Sequence, residues 1–172
     1  MGFWKNVKKT LTTISFKGRA SRKEIIDFFL FNLLFGVISG LFFGFPLVRA
    51  LVTISTAPSI KVGMDKLSSI FLIYMFIVGI ILTILYIWLS IASITLNVRR
   101  FHDLGLSGWV YFAFIVVTAI ITIAPEQYQT ACTILSYALG FGLFIYLASV
   151  KGSVNANKFG EPVVHASDLE KQ

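Results

Sequence analysis

Asn97-Val-Arg-Arg-Phe-His-Asp-Leu-Gly-Leu-Ser-Gly-Trp109 separates two long apolar runs, and its reading decides the fold. From Ser69 to Leu96 on one side and from Trp109 to Ala124 on the other, no Asp, Glu, Lys or Arg occurs. Runs of this kind are membrane-helix material. Ionised groups placed among hydrocarbon cost roughly 3 kcal/mol each or more. The stretch that holds Arg99, Arg100, His102 and Asp103 together is therefore expected in water or in a headgroup layer, as a loop between two spans. The specific chemistry of the chain is expected there.

Composition agrees with a membrane environment. The chain has 172 residues, of which 56% are hydrophobic and 13% charged, and its mean hydropathy is +0.82. That is too apolar for an ordinary soluble domain. The length suits a single unit of about four spans at roughly 20 residues each. Cys132, the one cysteine, has no partner for an internal disulfide or a thiolate metal site. The net charge of +7 is read as a cytoplasmic bias of basic residues rather than as a nucleic-acid surface.

Working outward, Phe3, Trp4, Val7, Leu11 and Ile14 recur at helical spacing, with Lys5, Asn6, Lys8, Lys9 and Thr12 largely opposite. The pattern predicts an amphipathic helix within residues 1–20, lying at the membrane interface or packed on its own bundle. Ser21 followed by Glu24 is a capping-box pattern that starts the first span, 22–45, with Pro46 expected to stop it. Asp27 lies in the first turns of that span, either favoured by the helix dipole at the interface or facing inward and paired with Arg99 or Arg100. Gly36, Gly40 and Gly44 form a smooth stripe for close helix packing, within one chain or between copies. The connection from Leu47 to Leu67 carries Arg49, Lys61, Asp65 and Lys66, and Leu47 to Ile54 is open to an interfacial helix. The remaining spans are predicted over 69–96, 109–124 and 131–150, with Ser107 as a candidate cap for the third. A polar tail over 151–172 contains the turn-rich Asn155-Ala-Asn-Lys-Phe-Gly-Glu-Pro162.

The predicted fold class is thus all-α: a polytopic membrane protein with four transmembrane helices and an N-terminal amphipathic interfacial helix. Four spans put both termini on one side. Most basic residues share that side, while Arg49, Lys61 and Lys66 fall on the other, so both termini and the central loop are expected in the cytoplasm. Gly18 to Glu24, Asn97 to Trp109 and Asn155 to Pro162 then emerge at one membrane surface, where they can form a polar site. Its expected members are Arg19, Arg22, Asp27, Arg99, Arg100, His102, Asp103 and Asn157.

These three segments carry a resemblance. Phe16-Lys-Gly-Arg-Ala-Ser-Arg-Lys-Glu24, then Arg99-Arg-Phe-His-Asp-Leu-Gly-Leu-Ser-Gly-Trp109, then Gly152 through Asn157-Lys-Phe-Gly160 and Pro162 resemble the YhaH/YhaI-like bacterial inner-membrane proteins, domain-of-unknown-function family 805. Nearly the whole chain is covered. Ile25 stands where the family often has an aromatic, and Val110 where a second Trp is common. The resemblance implies a bacterial or phage-borne protein of the cytoplasmic membrane and brings no activity with it.

The chemistry of the site divides by residue type. His102 and Asp103 lack the further ligands a metal needs, the other histidine being His165 in the tail. Ser107 lacks a nucleophile-elbow context, so no catalytic or metal-ligating residue and no cofactor is assigned. Guanidinium groups at headgroup depth bind phosphate well, so Arg99 and Arg100 are either ligands for anionic lipid headgroups or ordinary positive-inside anchors. The leading expectation is a non-enzymatic protein that binds membrane lipids or a partner through a basic cytoplasmic face, with a homo-oligomer on the glycine stripe as a further possibility and no nucleic acid. A small transporter or channel is the alternative, and an enzyme acting on a phosphate-bearing lipid headgroup the third.

Overall fold

The computed structural model describes residues 2–65, 67 and 69–163. Lys66, His165 and Lys171 lie outside the described residues. In chain order the helices are α1 (Phe3–Thr12), α2 (Arg22–Ser39), α3 (Phe45–Ser55), α4 (Ile60–Asp65), α5 (Ser69–Asp103), α6 (Trp109–Thr122) and α7 (Gln129–Ser149). A π-helical turn, Gly40–Gly44, joins α2 to α3, and a 3-10 turn, Glu126–Tyr128, precedes α7. Among the described residues the β-structure is one isolated bridge, Asn157 with Gly160.

Local sequence explains the helix ends. The Glu24 amide donates to Ser21 Oγ at 3.2 Å, so Ser21 caps α2. At the far end of α5, the Gly105 amide donates to His102 O at 3.0 Å and the Leu106 amide to Phe101 O at 2.9 Å. This is a Schellman stop, and it needs the left-handed backbone of Gly105 at φ +77°. Consequently Asn97 to Asp103 is not a loop. It forms the last turns of α5, and only Leu104 to Gly108 connects to α6.

Pro46 does not end the first long helix. Helical backbone runs continuously from Arg22 to Ser55. The π turn lies just before Pro46, and the Phe42 carbonyl, four residues before the missing amide, accepts instead from Tyr74 Oη at 2.7 Å. Among the described residues, three helical stretches are long and apolar enough to cross a membrane: Arg22–Ser55, Ser69–Asp103 and Glu126–Ser149, at 34, 35 and 24 residues. The helix Trp109–Thr122, with 14 residues, is shorter. In the most apolar window of α5 no residue is buried by protein. Apolar surface left bare to this degree is compatible with a lipid environment and not with water.

The chain divides into two compact units. One comprises 1–29 and 91–172, the other 30–90. In the second, Ser39 Oγ and Tyr86 Oη lie 2.6 Å apart, and Tyr74 Oη donates to Phe42 O at 2.7 Å. The first holds α1, the start of α2, the end of α5, α6, α7 and the described tail. Phe29 stacks on Phe144 there at 4.2 Å, fixing α2 against α7. All the sequence-predicted polar site residues belong to this unit.

Candidate functional site

The end of an α-helix leaves carbonyls without intrahelical partners, and a buried end must find donors for them. In the first unit arginines supply them. Arg100 Nε donates to Leu147 O at 2.9 Å, its Nη2 donates to Val150 O, and its Nη1 donates to Ala20 O at 3.4 Å and to the Asp103 carboxylate. Arg22 Nη1 adds a bond to Ser149 O at 3.3 Å. The positive charges also suit the negative end of the α7 dipole. In return the Ala20 amide donates to Arg99 O at 3.1 Å, near the end of α5.

Asp103 joins a second arginine to this node. Arg19 Nε donates to Asp103 Oδ1 at 2.8 Å. The remaining Arg19 nitrogens reach backbone carbonyls of the tail, Nη1 to Asn155 O at 3.0 Å and Nη2 to Ser153 O. Arg100 is 1% exposed and Asp103 4%. The two arginines and the aspartate between them are therefore core, not a wet surface. The sequence places Arg100 and Asp103 in water or in a headgroup layer; they are buried instead, and backbone oxygens from Ala20, from Leu147 and Val150, and from Ser153 and Asn155 surround the node in place of water.

The tail closes over the end of α5. The Ser153 amide donates to Asp103 O at 2.9 Å, and Asn157 Nδ2 donates to His102 O at 2.9 Å. The Phe159 ring lies flat on the His102 imidazole, 3.9 Å between centroids and 4° between planes. His102 Nδ1 is 3.3 Å from Gly18 O, and its Nε2 faces Gly108. The ring is thus packed between the tail and the turn before α6. Ser107, the candidate cap for the third span, is not the N-cap of α6: Gly108 holds that position, and Ser107 Oγ accepts the Trp109 amide at 3.4 Å.

A second polar cluster forms where α1 meets α2 and α5. Asp27 pairs with neither Arg99 nor Arg100 among the described bonds; Asn6 Nδ2 donates to its Oδ2 at 2.6 Å. Lys9 Nζ lies 2.7 Å from Glu24 Oε1, and Arg99 Nη1 is 3.9 Å from Glu24 Oε2. Asn6, Val7 and Thr10 are the buried face of α1, while Trp4 is 67% exposed. Helical periodicity assigns Asn6 to the polar, outward side. It turns inward because Asp27, buried by neighbouring helices, requires a donor. Asn6→Ala leaves that carboxylate without its partner and is expected to destabilise the protein by about 1.5–3 kcal/mol in chemical unfolding, against little change for Thr12→Ala on the exposed side.

In the second unit the glycine stripe is bare. A Cβ placed on Gly36, Gly40 or Gly44 would meet nothing within 4 Å. Gly79, which periodicity does not single out, is packed: a Cβ on it would lie 3.3 Å from the Phe43 ring.

Comparison with known proteins places this arrangement in a family. A family model described as a protein of unknown function, DUF805, matches residues 13–161. The chain belongs to DUF805. The matched region spans every residue of the Arg19, Arg100 and Asp103 node and the tail that covers it. Asn6 and Lys9 of α1 precede the DUF805 match, so the second cluster is completed from outside it. No curated protein and no solved structure matches the chain.

Proposed function

We propose that this DUF805 protein is a multi-pass, non-enzymatic protein of a bacterial cytoplasmic membrane that binds anionic lipid headgroups through exposed lysines beside its buried arginine node. The reading takes α6 as a fourth, short span, accommodated by local thinning of the bilayer, with both termini cytoplasmic by the distribution of basic residues. One observation carries it. Lys5, Lys8, Lys17, Lys23, Lys151 and Lys158 are exposed in the first unit, where Glu24, Asp27 and Asp103 are buried and Glu126 and Glu161 are the exposed acids among the described residues. The charge of these lysines is left to the surroundings. The exposed rings of Trp4 and Phe16 suit the headgroup boundary alongside them.

Arg99 and Arg100 drop out of this surface role because both are buried. The lysines replace them, each worth about 1 kcal/mol near an anionic leaflet at low salt. The test is native mass spectrometry of the protein from mixed micelles of phosphatidylglycerol and phosphatidylethanolamine. Wild type is expected to retain phosphatidylglycerol preferentially, and K5Q/K8Q/K17Q/K23Q to lose at least about tenfold of that preference. An unchanged preference in the variant contradicts the proposal.

A further inference from the structure

The helix α1 meets the rest of the first unit through a face that is mostly polar. Its buried residues are Asn6, Val7 and Thr10. Asn6 reaches Asp27, and at the edge of that face Lys9 reaches Glu24. The joint is imperfect: the Thr10 hydroxyl and Glu24 Oε2 are buried without a hydrogen-bond partner. An unsatisfied buried polar group weakens the contact that hides it. Beyond α1, Thr13 to Gly18 is not helical, and Gly18 has φ +88°. The helix is therefore hung on a short connection ahead of Arg19 and Ala20, which are buried.

The apolar stripe of α1 points elsewhere. Phe3, Val7, Leu11 and Trp4 fall within an arc of about 100° on this helix. Trp4 is 67% exposed, whereas Val7, inside the arc, is 2% exposed. Docking thus hides the middle of the stripe and leaves its edge bare. Lys5, Lys8 and Lys9 lie on the other side, and α1 contains no Asp or Glu.

We propose that α1 is a hinged latch with two resting places, the first unit and an anionic lipid surface. Release breaks Asn6 from Asp27 and Lys9 from Glu24. In return the Thr10 hydroxyl gains water, Val7 completes the apolar stripe, and Lys9 joins Lys5 and Lys8 on the polar side. A basic helix with a continuous apolar stripe lies in the plane of a bilayer, with that stripe at the acyl boundary. Anionic headgroups attract its three lysines and neutral ones do not, so α1 stays docked on a neutral bilayer and lifts on an anionic one. The DUF805 match begins at residue 13, after α1, so the latch is an addition to the matched body. The proposal rests on the lipid reading above and adds a movement to it.

The test reads the position of α1 in the full chain by pulsed electron paramagnetic resonance. Spin labels are placed at Gly2→Cys, the end of α1 farthest from the hinge, and at Lys151→Cys, exposed in the same unit, in a Cys132→Ser background. Vesicles of phosphatidylcholine are compared with vesicles of phosphatidylcholine and phosphatidylglycerol in equal parts. One main distance is expected in neutral vesicles, and a second population at least about tenfold larger in the anionic ones. Asn6→Ala weakens the docked state and leaves the stripe and the lysines intact. It is expected to raise the second population at least about tenfold in neutral vesicles. A second population that Asn6→Ala does not enlarge overturns the latch. The same distance distribution in both vesicles, with phosphatidylglycerol still preferred in native mass spectrometry, overturns the latch alone. Loss of that preference in wild type removes the lipid reading and the latch together. Should Asn6→Ala not fold, the comparison of the two vesicles decides by itself.

Discussion

Asp103→Ala is expected to lower the stability of the first unit by about 3–5 kcal/mol, the cost of leaving buried charge unpaired. Arg19 and Arg100 both bond the Asp103 carboxylate, and both are buried. Removing it leaves two guanidinium groups facing each other with carbonyl oxygens as their only acceptors. A domain is held by about 5–15 kcal/mol in total. The loss should therefore appear as a sharp fall in monodisperse folded protein and in the unfolding midpoint. Asp103→Asn, which keeps shape and one acceptor, should fall between Ala and wild type. Wild-type stability in Asp103→Ala would mean the carboxylate is incidental.

Gly152→Ala carries the second large effect. A Cβ there would overlap the Asp103 carboxylate, which cannot swing aside because arginines hold it from two directions. Overpacking of a rigid site costs about 1–3 kcal/mol, and the node adds the loss of its own bonds when it yields. Gly142→Ala in α7 is the control. Its Cβ would meet nothing within 4 Å, and alanine is the better helix former. The two glycine substitutions, ten positions apart, should thus differ in outcome: a clear loss of unfolding midpoint at Gly152, none at Gly142.

Part of this is legible in the sequence because the signals are local. Ser21 and Glu24 announce the start of α2, and apolar runs announce the long helices, since caps and periodicity depend on neighbours in the chain. The polar content of Gly18 to Glu24, Asn97 to Trp109 and Asn155 to Pro162 is also visible in the chain, and the contacts of Arg19 with Asp103 and of Asn157 with His102 O join these three segments. Burial is the part that is not legible. The cost of charge in hydrocarbon assigns Arg99 and Arg100 to water, but the oxygen atoms that shelter Arg100 belong to Ala20, Leu147 and Val150, which any sequence pattern reads as apolar. Backbone carbonyls have no letter. Asn6 is likewise hidden, because periodicity sees its neighbours on α1 and not Asp27. Gly152 reads as an ordinary helix stop, although what demands a glycine there is a carboxylate from α5. Pro46 reads as a break, and the preceding π turn explains why it is none.

Arg19 and Asp103 are partners in a buried node that binds the start of α2, the end of α5 and the tail into one body. A double-mutant cycle tests it most directly, with unfolding free energies of wild type, Arg19→Gln, Asp103→Asn and the double variant in one detergent. Strong coupling is expected: the double variant less destabilised than the sum of the singles, by about 1–3 kcal/mol. Additive losses would contradict it.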